Sequence, residues 1–217
     1  MKLLKKELKL ATSPLSWFFV LFGLMALIPG YPILLGAFFT CLGIFQSIQE
    51  TRDSNDILYS ALLPIAKRDV VKAKYTAALL FELISFALSA LCTALRLTVF
   101  KSAPVYVNNA LMAANFRYLA FDLLIFALFN AIFLRGFFRT AYRFGVPFIC
   151  FGAAAFVVVG VAEALHHFPG LGWLNAWTGK DLLRQLPLLI AAAVLFAAIT
   201  YFSMKASQRS FEQIDLN

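Results

Sequence analysis

Glu163, His166 and His167 form the first constellation in this chain with chemistry open to it. Spacings of three and four residues put them on one helical face. A carboxylate beside imidazoles can bind a metal ion or pass protons. Yet the order is not that of H-E-x-x-H, no further carboxylate or histidine accompanies them, and Pro169-Gly170 ends the helix at once. The competing expectation is an interfacial polar rim, with His166 and His167 doing nothing more. A phosphate loop is also missing. Gly179-Lys180-Asp181 has neither the G-x-x-x-x-G-K-[ST] spacing nor the hydroxyl for Mg2+. The sequence therefore predicts no catalytic residue, bound cofactor or metal in this chain.

A second group consists of charges set inside apolar runs: Glu82, Arg96 and Asp122. Ionisable groups at membrane depth are candidates for ion sites. Glu82 and Asp122 thus support the alternative of an ion-coupled secondary transporter or channel, and a membrane-embedded enzyme is the weaker alternative. Arg96 and Asp122 fall at similar depth near the outer ends of neighbouring antiparallel spans. An isolated charge there costs at least about 2.5–3.5 kcal/mol on insertion scales. The sequence therefore predicts that the two side chains approach each other, directly or through one water. Spacing suggests no partner for Glu82.

The elements that carry these residues follow from hydropathy. Of 217 residues, 62% are hydrophobic and 14% charged, against about 25% charge in a soluble domain. Residues Ile33 to Ile48, Val146 to Ala162 and Leu186 to Met204 contain no charge, and Tyr118 to Leu134 contains one. A helix crosses a hydrocarbon core of about 30 Å with about 20 such residues. Leu15 to Ile48 would be about 50 Å long as one helix, and Pro29-Gly30-Tyr31-Pro32 breaks it into a hairpin of two short spans. Further spans are expected near Tyr75–Val99, Arg117–Leu134, Phe144–Leu165 and Leu186–Met204. The fold class is thus all-α: a polytopic membrane protein with six transmembrane helices.

The net charge of +8 does not indicate nucleic acid, because Lys and Arg flank the ends of the apolar runs. With the N-terminus inside, 14 of the 19 basic residues face the cytoplasm, so both termini are expected there. Residues 1–12 alternate Leu4, Leu8 and Ala11 with four lysines, as an interfacial amphipathic helix would. The first apolar run lacks an A-x-A-like site after it and is expected to be a retained span. Three cysteines inside apolar runs imply no disulfide framework.

Residues 49–74 form the most informative loop. Ser54 or Asn55 can cap a short helix, along which Ile57, Leu58, Ala61, Leu62 and Ile65 share one side. That face needs cover, and spacing alone allows either the membrane and its own bundle or another protein. The run Leu62-Leu63-Pro64-Ile65-Ala66-Lys67-Arg68-Asp69-Val70-Val71-Lys72-Ala73-Lys74-Tyr75 resembles the first intracellular loop of type-2 ABC exporter permeases. It is most similar to the small six-span branch that includes the phenol-soluble-modulin exporters. The amphipathic N-terminus, the six spans, the external segment 166–185 and the tail from Ser207 to Leu216 fit the same resemblance.

The resemblance implies a single permease domain over 1–217 in the bacterial cytoplasmic (inner) membrane, moving a hydrophobic or amphipathic cargo, peptides included, out of the cell. It implies a dimer with a second permease copy or homologue, in contact with membrane lipid and two ABC ATPase subunits, which would hold the ATP and Mg. It also implies a cytoplasmic coupling helix over Asn55 through Lys72, with Asn55, Asp56, Leu58, Leu62, Pro64, Lys67, Arg68 and Asp69 as the ATPase-coupling residues.

Overall fold

The computed structural model describes residues 2–8, 14–53, 66–140 and 143–214, and every regular element among them is helical. The N-terminal helix α1 (Lys2–Lys6) precedes α2 (Pro14–Val20), which tightens into a 3-10 helix over Leu21–Leu27. The larger rise of a 3-10 helix carries this 14-residue segment about 25 Å. At Pro29-Gly30 the chain turns, with Gly30 at φ 72°, a conformation glycine adopts without strain. It returns along α3 (Leu35–Asp53). A helical hairpin is therefore present where two short spans are expected, and α3 turns polar over its last two turns.

The four later spans are each long and apolar enough to cross a membrane. Helix α4 (Lys67–Thr98) has 32 residues and runs about 48 Å, well beyond a hydrocarbon core of about 30 Å. It begins two turns earlier than hydropathy alone indicates. A short α5 (Pro104–Val107) lies in the following loop. Helix α6 (Phe116–Leu128) is capped by Asn115, whose side chain accepts from the Tyr118 N–H. It continues through a π-helical stretch, Phe129–Leu134, into α7 (Arg135–Arg139). Helix α8 (Gly145–Ala164) ends in a 3-10 turn at Leu165–His167. The 3-10 turn Gly172–Asn175 and α9 (Gly179–Leu183) lead into α10 (Leu186–Glu212).

Helix α6 is central: α10 packs along it most extensively, and α4, α8 and α3 also border it. Phenylalanines fill these interfaces. Phe45 stacks on Phe148 at 3.9 Å between centroids, Phe129 on Phe133 at 4.9 Å, and Phe137 and Phe138 are fully buried. Three glycines let backbones approach closely. A Cβ on Gly23 would stand 2.5 Å from the Ser85 carbonyl, one on Gly36 2.5 Å from the Phe22 carbonyl, and one on Gly43 2.5 Å from the Phe19 Cβ.

Candidate functional site

The buried face of α4 is polar. Tyr75, Glu82, Ser85, Ser89, Thr93 and Arg96 recur at helical spacing, and all are buried. Leu83 and Leu91, on the opposite face, are half exposed. This reverses the pattern of a soluble helix, because lipid takes the apolar side and the polar side must find partners within the bundle.

The partners form layers. Toward the Lys67 end, the Tyr75 hydroxyl meets the hydroxyls of Ser203 and Ser207 at 2.9 and 2.8 Å. Ser203 also donates to the Asn130 carbonyl at 2.6 Å. Asn130 lies in the π-helical stretch, and its Nδ2 donates to Glu82 Oε2 and to Thr200 Oγ1, each at 3.0 Å. Asn130 is thus the partner of Glu82 that spacing did not reveal. Glu82 Oε1 and Asn130 Oδ1 have no donor among the described residues. The next layer joins Thr40 to Ser85 at 2.8 Å and the Tyr118 hydroxyl to Ser89 at 3.1 Å. Asp122 is fully buried beside Ser89, with no donor bonded to either carboxylate oxygen among the described residues.

Arg96 does not take Asp122 as its partner. Its Nη1 donates to the Ala26 carbonyl at 2.9 Å, and its guanidinium lies 4.2 Å from the Tyr106 ring centroid. The Tyr106 hydroxyl donates to the Leu27 carbonyl at 2.8 Å. The physical reason lies in the helix terminus beside it. Where the 3-10 helix stops, its last carbonyls lack intrahelical donors and carry partial negative charge. Arg96 satisfies one of them and sits at the favourable end of that dipole, so it needs no carboxylate.

The same end of the bundle carries a tightly bonded cap. Asn115 Nδ2 donates to the carbonyls of Leu174 and Ala176, and Gln185 Nε2 donates to those of Trp173 and Ala176. Glu163 Oε2 accepts from the Met112 N–H at 2.8 Å, and His166 Nε2 is 3.2 Å from the Ala110 carbonyl. Glu163 and His166 therefore hold the 108–115 loop. Among the described residues, no three His, Cys, Asp or Glu stand close enough to hold a metal ion.

At the opposite end, Lys67 Nζ donates to the Ile214 carbonyl at 2.7 Å and Gln208 Nε2 to the Arg68 carbonyl at 3.0 Å. Lys74 and Glu7 form a buried ion pair at 2.8 Å that fastens α1 to α4. Asp69 lies in the first turn of α4, where the helix dipole favours an acid. Asn55, Asp56, Leu58, Leu62 and Pro64 lie outside the described residues.

A family model described as ABC-2 family transporter protein matches residues 2–212. The chain belongs to the ABC-2 transporter family. No curated protein and no solved structure matches it. As an ABC-2 permease the chain is a multi-pass membrane component of a transporter and is not itself a catalytic enzyme. The enzyme alternative is thereby set aside, and Glu163 and His166 keep the structural role their bonds describe.

Proposed function

We propose that this ABC-2 permease is one half of an ATP-driven exporter that moves a hydrophobic or amphipathic cargo, peptides included, out of a bacterial cell. It pairs with a second copy or a close homologue, and two ABC ATPase subunits supply ATP and Mg2+ binding. Both termini lie in the cytoplasm. The segment Asn55 to Lys72 docks on the ATPase, and the phenol-soluble-modulin branch is the favoured kinship. The observation that supports this reading is the overlength of α4, whose first two turns, carrying Lys67, Arg68 and Asp69, precede its apolar stretch. Those turns are bonded to the end of α10 through Lys67 and Gln208. A push on the preceding segment would therefore reach two spans together.

Pull-down of the tagged ATPase tests this. Leu58→Asp with Leu62→Asp removes two apolar anchors, each contributing about 1.5–3 kcal/mol if buried. Docking should weaken by about two orders of magnitude or more, since 1.4 kcal/mol is a factor of ten, while the membrane level of the permease holds. Lys67→Glu with Arg68→Glu should do less, because exposed ion pairs contribute about 0–1 kcal/mol. Wild-type retention by the double Asp variant would refute the docking assignment.

A second reading, ion-coupled transport through Glu82 and Asp122, is favoured by one observation. Both carboxylates are fully buried and carry oxygens without donors among the described residues. Transport driven by a proton gradient in vesicles free of ATPase, and lost in Glu82→Gln, would select it.

A further inference from the structure

Asn130 and Glu82 meet where three spans converge. The Asn130 side chain leaves the π-helical stretch after α6 and donates through Nδ2 to Glu82 Oε2 on α4 and to Thr200 Oγ1 on α10, each at 3.0 Å. An amide nitrogen carries two hydrogens, so both are spent. One open oxygen remains on each partner. Glu82 Oε1 and Asn130 Oδ1 have no donor among the described residues, and both side chains are 0% exposed.

The neighbouring hydroxyls do not close this gap. Ser203 donates to the Asn130 backbone carbonyl, the Tyr75 hydroxyl meets Ser203 and Ser207, and Thr40 faces Ser85. No basic side chain among the described residues pairs with Glu82. Cys41 on α3 and Tyr75 on α4 lie close enough to feel its charge, and neither is a cation. An ionised carboxylate without a cation is among the costliest groups to bury, and such a group neutralises instead. A hard metal ion is no substitute, because it takes about six oxygens and the gap offers two.

We propose that Glu82 holds a proton on Oε1 and donates it to Asn130 Oδ1, so that acid and amide form a neutral pair joined by two hydrogen bonds. One hydrogen then satisfies both open oxygens, beside the existing bond from Nδ2 to Oε2. The terminal torsions of both side chains are broad, so the second bond needs only a rotation of the planar groups. The pair clasps α4 to the π-helical stretch and, through Thr200, to α10 without placing a charge inside the bundle. The ligand of this site is a proton, and it belongs to the resting fold, independent of export.

Infrared spectroscopy of the full chain in lipid, near neutral pH, tests the pair. The difference spectrum of wild type against Glu82→Gln should contain the carbonyl stretch of a protonated carboxylic acid, above the amide I band, and no loss of carboxylate stretches. Asn130→Ala should keep that band and move it to higher frequency, because the acid loses its amide partner. Asp122→Asn should leave it in place, since Asp122 lies beside Ser89 in the next layer. Glu82→Gln, whose amide can make the same two bonds, should unfold near the wild-type temperature. Glu82→Ala should unfold about 2–12 °C lower, with Asn130 orphaned. A difference spectrum holding only carboxylate stretches, as a charged Glu82 held by water would give, would overturn the assignment. So would an acid band that Asn130→Ala leaves unmoved, or a Glu82→Gln chain that loses as much stability as Glu82→Ala. If Asn130→Ala fails to fold, the wild-type and Glu82→Gln spectra still decide. None of these measurements involves an ATPase or cargo, so their failure leaves the proposed function standing.

Discussion

At the scale of single residues, depth in the membrane is easier to read than partnership. Glu82 is visibly an acid inside an apolar run, yet its partner Asn130 belongs to another helix whose rotation is set by a π-helical stretch. One-dimensional spacing carries no such information, since a π turn shifts the register of everything after it. Arg96 shows the converse. Its partner is a backbone carbonyl at the end of a terminating helix, which the spacing of charged side chains does not reveal. The Tyr75 contacts yield a sharp expectation. Tyr75→Phe removes a hydroxyl that meets Ser203 and Ser207. Side-chain hydrogen bonds between membrane helices average about 0.6 kcal/mol and reach about 1.7. The variant should lose about 0.5–1.5 kcal/mol in reversible unfolding from detergent micelles. Asn130→Ala should cost more, about 1–3 kcal/mol, because it takes the donor from a buried carboxylate. If both variants unfold like wild type, the inner polar layer contributes nothing to stability.

At the scale of elements, hydropathy located the spans well and their ends poorly. The cause is visible in α4 and α10, which run on past their apolar stretches because their polar turns bond to each other. Helix length there answers to packing outside the bilayer, which a hydropathy window does not see. Packing between spans was also hidden, since glycine marks close approach only once a neighbour is known. Gly23 and Gly43 meet other helices, whereas Gly152 and Gly160 on α8 have nothing within 4 Å of an added Cβ. Alanine substitutions should therefore separate in sign. Gly23→Ala would force the 3-10 segment off the Ser85 carbonyl, a clash of the kind that costs about 1–3 kcal/mol. Gly160→Ala should be neutral or gain up to about 1 kcal/mol from helix propensity. Thermal unfolding of the purified variants gives the comparison, and equal loss at both positions would refute the close packing of the 3-10 segment Leu21–Leu27 on α4.

At the scale of the molecule, orientation is the property that ties sequence to function most directly. The fold gathers the basic residues as the charge count requires. Contacts of Lys67 with Ile214, of Arg68 with Gln208 and of Phe138 with Phe211 bring the start of α4, α7 and the end of α10 to one end. Arg96, Lys101, Arg117, Lys180 and Arg184 belong to the other, with the cap that Asn115 and Gln185 hold together. Flanking Lys and Arg set topology by resisting translocation, and the charge count of the sequence assigns 14 of 19 to that side. That end should therefore face the cytoplasm. The check is thiol labelling in sealed cells after Cys41, Cys92 and Cys150 are replaced by Ala. A cysteine at Ser210, in the last turns of α10, should react with a membrane-impermeant maleimide only after permeabilisation. One at Thr178, exposed in the cap, should react in intact cells. The reverse pattern would put the Asn55 to Lys72 segment outside, out of reach of any cytoplasmic ATPase. It would remove the proposed coupling while leaving the membership of the ABC-2 family intact.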